Sequence, residues 1–376
     1  NVVCFESASE ALDFIDSKPK SPDLILLDVN MPKMDGIEFV RRLVERNFGG
    51  AIVLISGESG RLVQSIVTLG REHGLTIIGQ LEKPAGKKGL QEVLALWSEE
   101  VNAPTRSSAT HKYNADDLRN AIACGELVNF YQPQVALTDG EFLGVETLVR
   151  WLHPEDGVVE PISFIGLAED SGQIDDVARC VLAGLLADAQ QWDAAALRPV
   201  ISLNLSARNL GDPLMAEYIF SACQASNLNP ARMVIEVTES CLMHNRLAAL
   251  EILSRLRLRR FGLSIDDFGT GYSSFSQLQD ISFSELKIDY RFAHGAAKDP
   301  TKRAIFEASL DLALNMNMRT VAEGVENKED WDFVRSSRCD MAQGFFVARP
   351  MPAKSLPEWL AHWKIRCKPL CENAKD

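Results

Sequence analysis

The chain has 376 residues, 46% of them hydrophobic, with 39 Lys plus Arg against 52 Asp plus Glu and a formal net charge of −13. That mix can bury a large core and excludes a mainly disordered chain. The acidic balance repels phosphate backbones, so no DNA partner is expected. No stretch approaches the roughly 20 unbroken apolar residues of a membrane helix, and the first residues lack the basic-then-apolar pattern of a secretory leader. The eight cysteines are scattered without a CxxC pair, which predicts free thiols in a reducing compartment. A cytoplasmic protein without membrane insertion is expected. Asn1 is not a start methionine, so the sequence is expected to begin inside a longer protein. At roughly 100–200 residues per domain, the length predicts two domains, or one large barrel with an appendage.

In chain order, Val2 to Phe5, Leu24 to Leu27, Ile52 to Ile55 and Thr76 to Ile78 read as short buried strands, with helices over Ala8 to Ser17 and Ile37 to Arg46. That alternation implies a parallel α/β sheet with right-handed crossovers. The polar run Val101 to Thr110 has no apolar periodicity and reads as a linker. Beyond it the alternation resumes at greater length. Strands are predicted at Gly144 to Leu148, Val200 to Leu205, Met233 to Val237, Leu263 to Ile265, Glu285 to Ile288, Arg319 to Ala322 and Gly344 to Val347. Helices are predicted at Leu247 to Leu258 and Lys302 to Met316. The rhythm and size suit a (β/α)₈ barrel, with a doubly wound open sheet as the competing architecture.

Two sets of polar residues stand where these strands end. In the first part, Asp28 ends the apolar run LILL, Ser56 ends IVLI, and Lys83 follows the last strand. A carboxylate, a hydroxyl and an ammonium at neighbouring strand ends can accept a phosphoryl group, the carboxylate as nucleophile and the others holding its oxygens. The stretch DLILLDVNMPKMDG, followed by LISG and EKP, resembles the response-regulator receiver domain. The resemblance implies a doubly wound fold, phosphorylation at Asp28 with Ser56 and Lys83 in support, and a cognate sensor histidine kinase. Receivers also carry a metal-binding acidic pair after their first strand. Only 27 residues precede Asp28, so that strand and pair are expected to be missing from this sequence. Gln80 stands where receivers have an aromatic switch residue.

In the second part, Glu146, Asn204, Glu236, Asp266, Asp267, Lys287, Glu323 and Gln343 recur at or near the ends of apolar runs. If the strands are parallel, these groups meet on one rim of a barrel, the face where barrel enzymes place their chemistry. Several carboxylates within a few ångströms repel by several kcal/mol at an effective dielectric of about 20, so they must protonate, separate or bind cations. An all-oxygen set of Glu146, Asn204, Glu236, Asp266 and Asp267 suits Mg²⁺ or Mn²⁺, and the six histidines do not cluster at zinc spacing. Two such ions about 3.5–4 Å apart would serve phosphodiester hydrolysis, with Lys287 positioning water and Glu323 accepting its proton. Asp267-Phe268-Gly269 matches a kinase DFG, but neither an HRD-type loop nor a VAIK-type strand accompanies it.

The segments FYQPQV, ETLVRW, FIGLAEDSG, SLNLSA, VIEVTES, IDDFGTGYSS, LKID, AEGVE and AQGF, in this order, resemble the EAL-domain cyclic-di-GMP phosphodiesterases. With the receiver in front, the sequence is similar to receiver–EAL regulators of the RocR type. The resemblance implies hydrolysis of cyclic-di-GMP to linear pGpG with Mg²⁺ or Mn²⁺, two ions per site, and a homo-oligomer. It places Glu146, Asn204, Glu236, Asp266 and Asp267 as metal ligands, with Lys287, Glu323 and Gln343 completing the centre. Gln132, Arg150 and Asp289 fall at substrate-contacting positions, and Glu239 supports the loop Asp267 to Ser274. Thr147, Asn209 and the stretch DYRFA from Asp289 depart from the family pattern. A receiver over residues 1–100, a linker over 101–112 and an EAL domain over 113–372 are expected. The alternative is a catalytically silent cyclic-di-GMP receptor acting through protein contacts.

Overall fold

Leu24–Asp28 (β1), Ala51–Ser56 (β2) and Thr76–Glu82 (β3) pair in parallel, in the order β1-β2-β3. The computed structural model describes residues 2–17, 21–31, 33–46, 48–57, 66–67, 70, 74–86, 89–91, 97, 112–244, 246–270 and 275–372. The predicted linker, apart from Lys112, and Gly271 to Ser274 of the predicted loop lie outside these residues. The chain separates into two units, Asn1–Thr110 and His111–Asp376.

In the first unit, the helices Ala8–Ser17 and Gly36–Glu45 form where their apolar residues recur at helical spacing. Gly36–Glu45 starts at Asp35, whose carboxylate accepts from Glu38 N at 2.9 Å. It buries Phe39, Val40 and Leu43 in a core with Leu27, Ile52, Leu54 and Ile77. The predicted strand at Val2 to Phe5 does not form, and these side chains are exposed. An apolar run becomes a strand only with a partner for its backbone groups, and the three-stranded sheet pairs only β1, β2 and β3.

The second unit is a closed barrel of eight strands. Leu127–Ala136 (β4) and Phe142–His153 (β5) form an antiparallel pair, and β5 carries the short Gly157–Val159 (β6) on its outer end. From β5 the sheet continues in parallel through Val200–Asn204 (β7), Met233–Thr238 (β8), Gly262–Phe268 (β9), Glu285–Ile288 (β10), Arg319–Ala322 (β11) and Met341–Ala342 (β12). Pairing of β12 with β4 closes the ring, and Met351–Pro352 (β13) adds to β4. Closure rules out the open-sheet alternative.

Two details differ from the sequence expectation. The barrel holds one antiparallel strand, β4, which the apolar pattern did not mark. The run Gly344 to Val347 is a turn, and the strand lies just before it at Met341–Ala342. Gly344 has φ 154°, and a Cβ there would stand 2.3 Å from both N and O of Val325. The backbone therefore crosses Val325 closely and cannot extend.

Side chains alternate along each strand. Val145, Ile201, Leu203, Ile235, Val237, Leu263, Ile265, Leu286 and Ile288 belong to the main apolar core, which also takes the buried residues of helices such as Ile174–Ala194, Arg246–Leu258 and Pro300–Asn315. The residues between them point into the barrel, and these are polar: Gln132, Gln134, Glu146, Ser202, Glu236, Ser264, Glu285, Lys287 and Gln343 are all buried.

Candidate functional site

Lys287 of β10 stands at the centre of the barrel mouth with its side chain wholly enclosed. Its Nζ lies 2.7 Å from Glu323 Oε1, 2.9 Å from Glu236 Oε2, 3.1 Å from Asp266 Oδ1 and 3.4 Å from Glu146 Oε2. These acids come from β5, β8 and β9 and from the residue after β11, brought together by the parallel register.

Burial disfavours a charged lysine, but the four carboxylates outweigh it and hold the Lys287 ammonium well above its usual range. Burial also raises each acid, and the balance then differs. The Lys287 charge and the amides of Gln343 and Asn204 hold Glu146 below the usual carboxylate range. Glu236 and Glu323 stay well above it, because burial and the neighbouring acids exceed what Lys287 gives back. Burial, with repulsion from Asp266 and Asp289, pushes Asp267 up to about 6.

Carboxylate oxygens of Glu146, Glu236 and Asp266 lie within 4.8 Å of one another, and those of Asp266, Asp267 and Glu323 do the same. Asp266 belongs to both groups. Glu236 Oε1 is buried without a hydrogen-bond partner, a costly state unless something positive meets it. An all-oxygen donor set with a shared carboxylate and an orphaned oxygen fits hard divalent cations.

Amides frame this cluster. Asn204 Nδ2 donates to Glu146 Oε1 at 2.9 Å. Gln343 Nε2 donates to Glu146 Oε2 and, at 3.0 Å, to Gln132 Oε1, while Gln132 Nε2 donates to Ala348 O at 3.0 Å. Gln134, which the sequence reading passed over, donates to Gln343 Oε1 at 2.9 Å and fixes its orientation. Its signal was present: it lies two residues from Gln132 on one strand, hence on the same face.

The loop after β9 is held from below. Glu239 Oε2 accepts from Gly269 N at 3.2 Å, and Glu239 N donates to Asp266 O at 3.2 Å. Asp267 takes a left-handed backbone, φ 55°, and Gly269 has φ 97° with Phe292 2.9 Å from where a Cβ would be. Glu239 thus reaches the cluster through this loop. Arg150 is buried nearby, but it forms an ion pair with Glu160 at 3.0 Å and donates a hydrogen bond to Val149 O at 2.8 Å. Asp289 is buried at the end of β10 and is gripped by Arg291.

The first unit gathers its three candidates as well. Asp28 is the last residue of β1, and Lys83 Nζ donates to its Oδ2 at 2.5 Å. Ser56 ends the adjacent β2, and its carbonyl accepts from Lys83 N at 3.0 Å. Gln80 is exposed on β3.

Comparison with known proteins decides the family. The EAL domain family matches residues 115–350, and the response regulator receiver domain family matches residues 1–95. The chain belongs to the EAL-domain family. This EAL chain is 30% identical to the cyclic di-GMP phosphodiesterase RocR of Pseudomonas aeruginosa, over 88% of its own length and 84% of RocR. It is 39% identical to the bifunctional diguanylate cyclase/cyclic di-GMP phosphodiesterase MucR of the same organism, over 64% of this chain and 35% of MucR. The EAL chain spans about a third of the length of several curated relatives it matches. Among solved structures, the c-di-GMP complex of the PaMucR phosphodiesterase is 39% identical, with TM-score 0.62 over 64% of this chain and 98% of that one. The EAL enzyme Bd1971, in its cAMP and cyclic-di-GMP bound form, is 25% identical with TM-score 0.63 over 72% of this chain and 75% of that one.

Proposed function

We propose that the EAL chain is a phosphodiesterase that hydrolyses cyclic-di-GMP to linear 5′-pGpG, with its rate set by phosphorylation of Asp28. The observation that carries this reading is the enclosed Lys287 ringed by Glu146, Glu236, Asp266 and Glu323, with Asp267, Asn204 and Gln343 beside them. MucR and RocR, which are named as cyclic-di-GMP phosphodiesterases, support the substrate.

Glu146, Asn204, Glu236, Asp266 and Asp267 would hold Mg²⁺ or Mn²⁺. Such ions, when bound, make water more acidic and offset the charge of the phosphodiester. In this reading Glu323, grouped with Asp266 and Asp267 at the mouth, would take the proton of the attacking water, provided that bound cations offset the burial that holds its carboxyl above the usual range. The P–O3′ bond breaks, the 3′ oxygen leaves as a hydroxyl after taking a proton, and the phosphate stays on the 5′ oxygen. Lys287 keeps the acids oriented through the change of charge. Gln132, Arg150 and Asp289 line the substrate side. Glu239 fixes the loop that bears Asp267.

In this reading a receiver over 1–100, a linker over 101–112 and an EAL domain over 113–372 act in the cytoplasm as a homo-oligomer, with a sensor histidine kinase as partner. Among the described residues, no helix is long and apolar enough to cross a membrane. Purified chain with cyclic-di-GMP and Mg²⁺ should yield pGpG, and Glu323→Ala should abolish turnover while leaving the fold intact. Tight binding without metal-dependent hydrolysis would instead identify a silent receptor.

A further inference from the structure

Arg291 grips Asp289 in three ways. Its backbone N donates to Asp289 Oδ1 at 2.7 Å, its Nε to the same oxygen at 2.9 Å, and a terminal guanidinium nitrogen to Oδ2 at 3.2 Å. Only 2% of Asp289 is exposed, and its carboxylate faces that of Asp267. Asp267 belongs to the second carboxylate group, with Asp266 and Glu323.

The turn carrying Arg291 is fixed on both sides. Phe292 packs under Gly269, and Tyr290 packs on Gly324 so closely that a Cβ there would be 2.4 Å away. Both glycines sit beside acids of this group, Gly269 two residues after Asp267 and Gly324 next to Glu323. The guanidinium is therefore held near the second group, although half of its side chain faces water. The four ion pairs of Lys287 go to Glu146, Glu236, Asp266 and Glu323. Lys287 thus serves acids of both groups, and Arg291 adds a second cation on the Asp289 side, where Asp267 also acts on its charge.

We propose that Arg291 is a positioning residue whose charge weakens the Asp266–Asp267–Glu323 position for a divalent cation, so that it fills at higher metal concentration than the Glu146–Glu236–Asp266 position. This rests on the metal-dependent reading above. The physical basis is repulsion between a fixed unit charge and an incoming divalent ion. At the dielectric of a half-exposed site, that repulsion changes affinity by about three- to thirtyfold. Asp289, already saturated by the guanidinium fork, offers the incoming ion little in return.

Mn²⁺ titration of the full chain at low salt, with free ion followed by electron paramagnetic resonance, tests this without any turnover measurement. Wild type should show two classes of binding. Arg291→Gln should tighten the weaker class by about three- to thirtyfold and leave the tighter class nearly unchanged, which also reports an intact fold. Arg291→Lys should behave like wild type, because the charge remains. High salt should shrink the difference between wild type and Arg291→Gln. An unchanged weaker class in Arg291→Gln, loss of both classes in that variant, or equal tightening in Arg291→Lys would overturn the proposal. A wild-type chain that binds no Mn²⁺ would overturn the metal reading together with it.

Discussion

Lys287 is the residue on which the electrostatics of the barrel mouth turn. Removing one partner from a buried charge network typically costs about 3–5 kcal/mol, because the remaining charges are left uncompensated. Lys287→Met is therefore expected to lower stability by about that amount in chelator and to abolish turnover. Added Mg²⁺ should recover part of the lost melting temperature, since a cation can replace the ammonium. Thermal melts with and without Mg²⁺ check this, and an unchanged melting temperature in chelator would contradict it. Asp267 gives a pH dependence. Its folded value, about 6, lies above the ordinary 3.8, so between these values the folded state holds a proton that the unfolded state releases. Ionising Asp267 thus costs stability as pH rises through that window, and the cost is complete above it. Asp267→Asn should stabilise the cation-free chain relative to wild type at about pH 7 and lose that advantage at about pH 4. Melts in chelator at the two pH values measure it; an equal difference at both would contradict the assignment.

Among the elements, the turn after β12 is the most exposed to a single methyl group. A Cβ at Gly344 would meet the Val325 backbone at 2.3 Å, and backbone cannot yield as a flexible side chain can. Gly344→Ala is expected to destabilise by about 3 kcal/mol or more and to displace Gln343 from Glu146. Denaturant unfolding checks the first effect. The acids were legible in the sequence because each stands within or at the end of an apolar run, and a parallel barrel collects such positions toward one rim. Strand β4 was not, because its inward positions are Gln132 and Gln134 and Pro133 interrupts it, which reads against a strand interior. Gly344 to Val347 misled in the opposite sense: its apolar residues pack, but its first residue is committed to a close crossing. Val2 to Phe5 has strand composition but no pairing neighbour. The clamp of Arg291 on Asp289 has no periodic signature, since it depends on one turn and one side-chain rotamer.

At the scale of the whole molecule, one chain joins a receiver, with Asp28, Ser56 and Lys83 at adjacent strand ends, to an EAL barrel. In the proposed reading, a phosphoryl group on Asp28 would compete with the Lys83 ammonium now bonded to its carboxylate, and that contact is expected to move to the phosphoryl oxygens. Turnover should then differ between the phosphorylated and unphosphorylated full chain. Equal rates would count against regulation through Asp28. The central claim is narrower: carboxylates from separate strands form one cation-dependent hydrolytic centre. Its most direct test follows cyclic-di-GMP conversion by the purified chain in Mg²⁺, in chelator, and with Glu146→Ala in Mg²⁺. The account predicts pGpG in the first case and essentially none in the other two. Undiminished pGpG formation in chelator or in Glu146→Ala would contradict it.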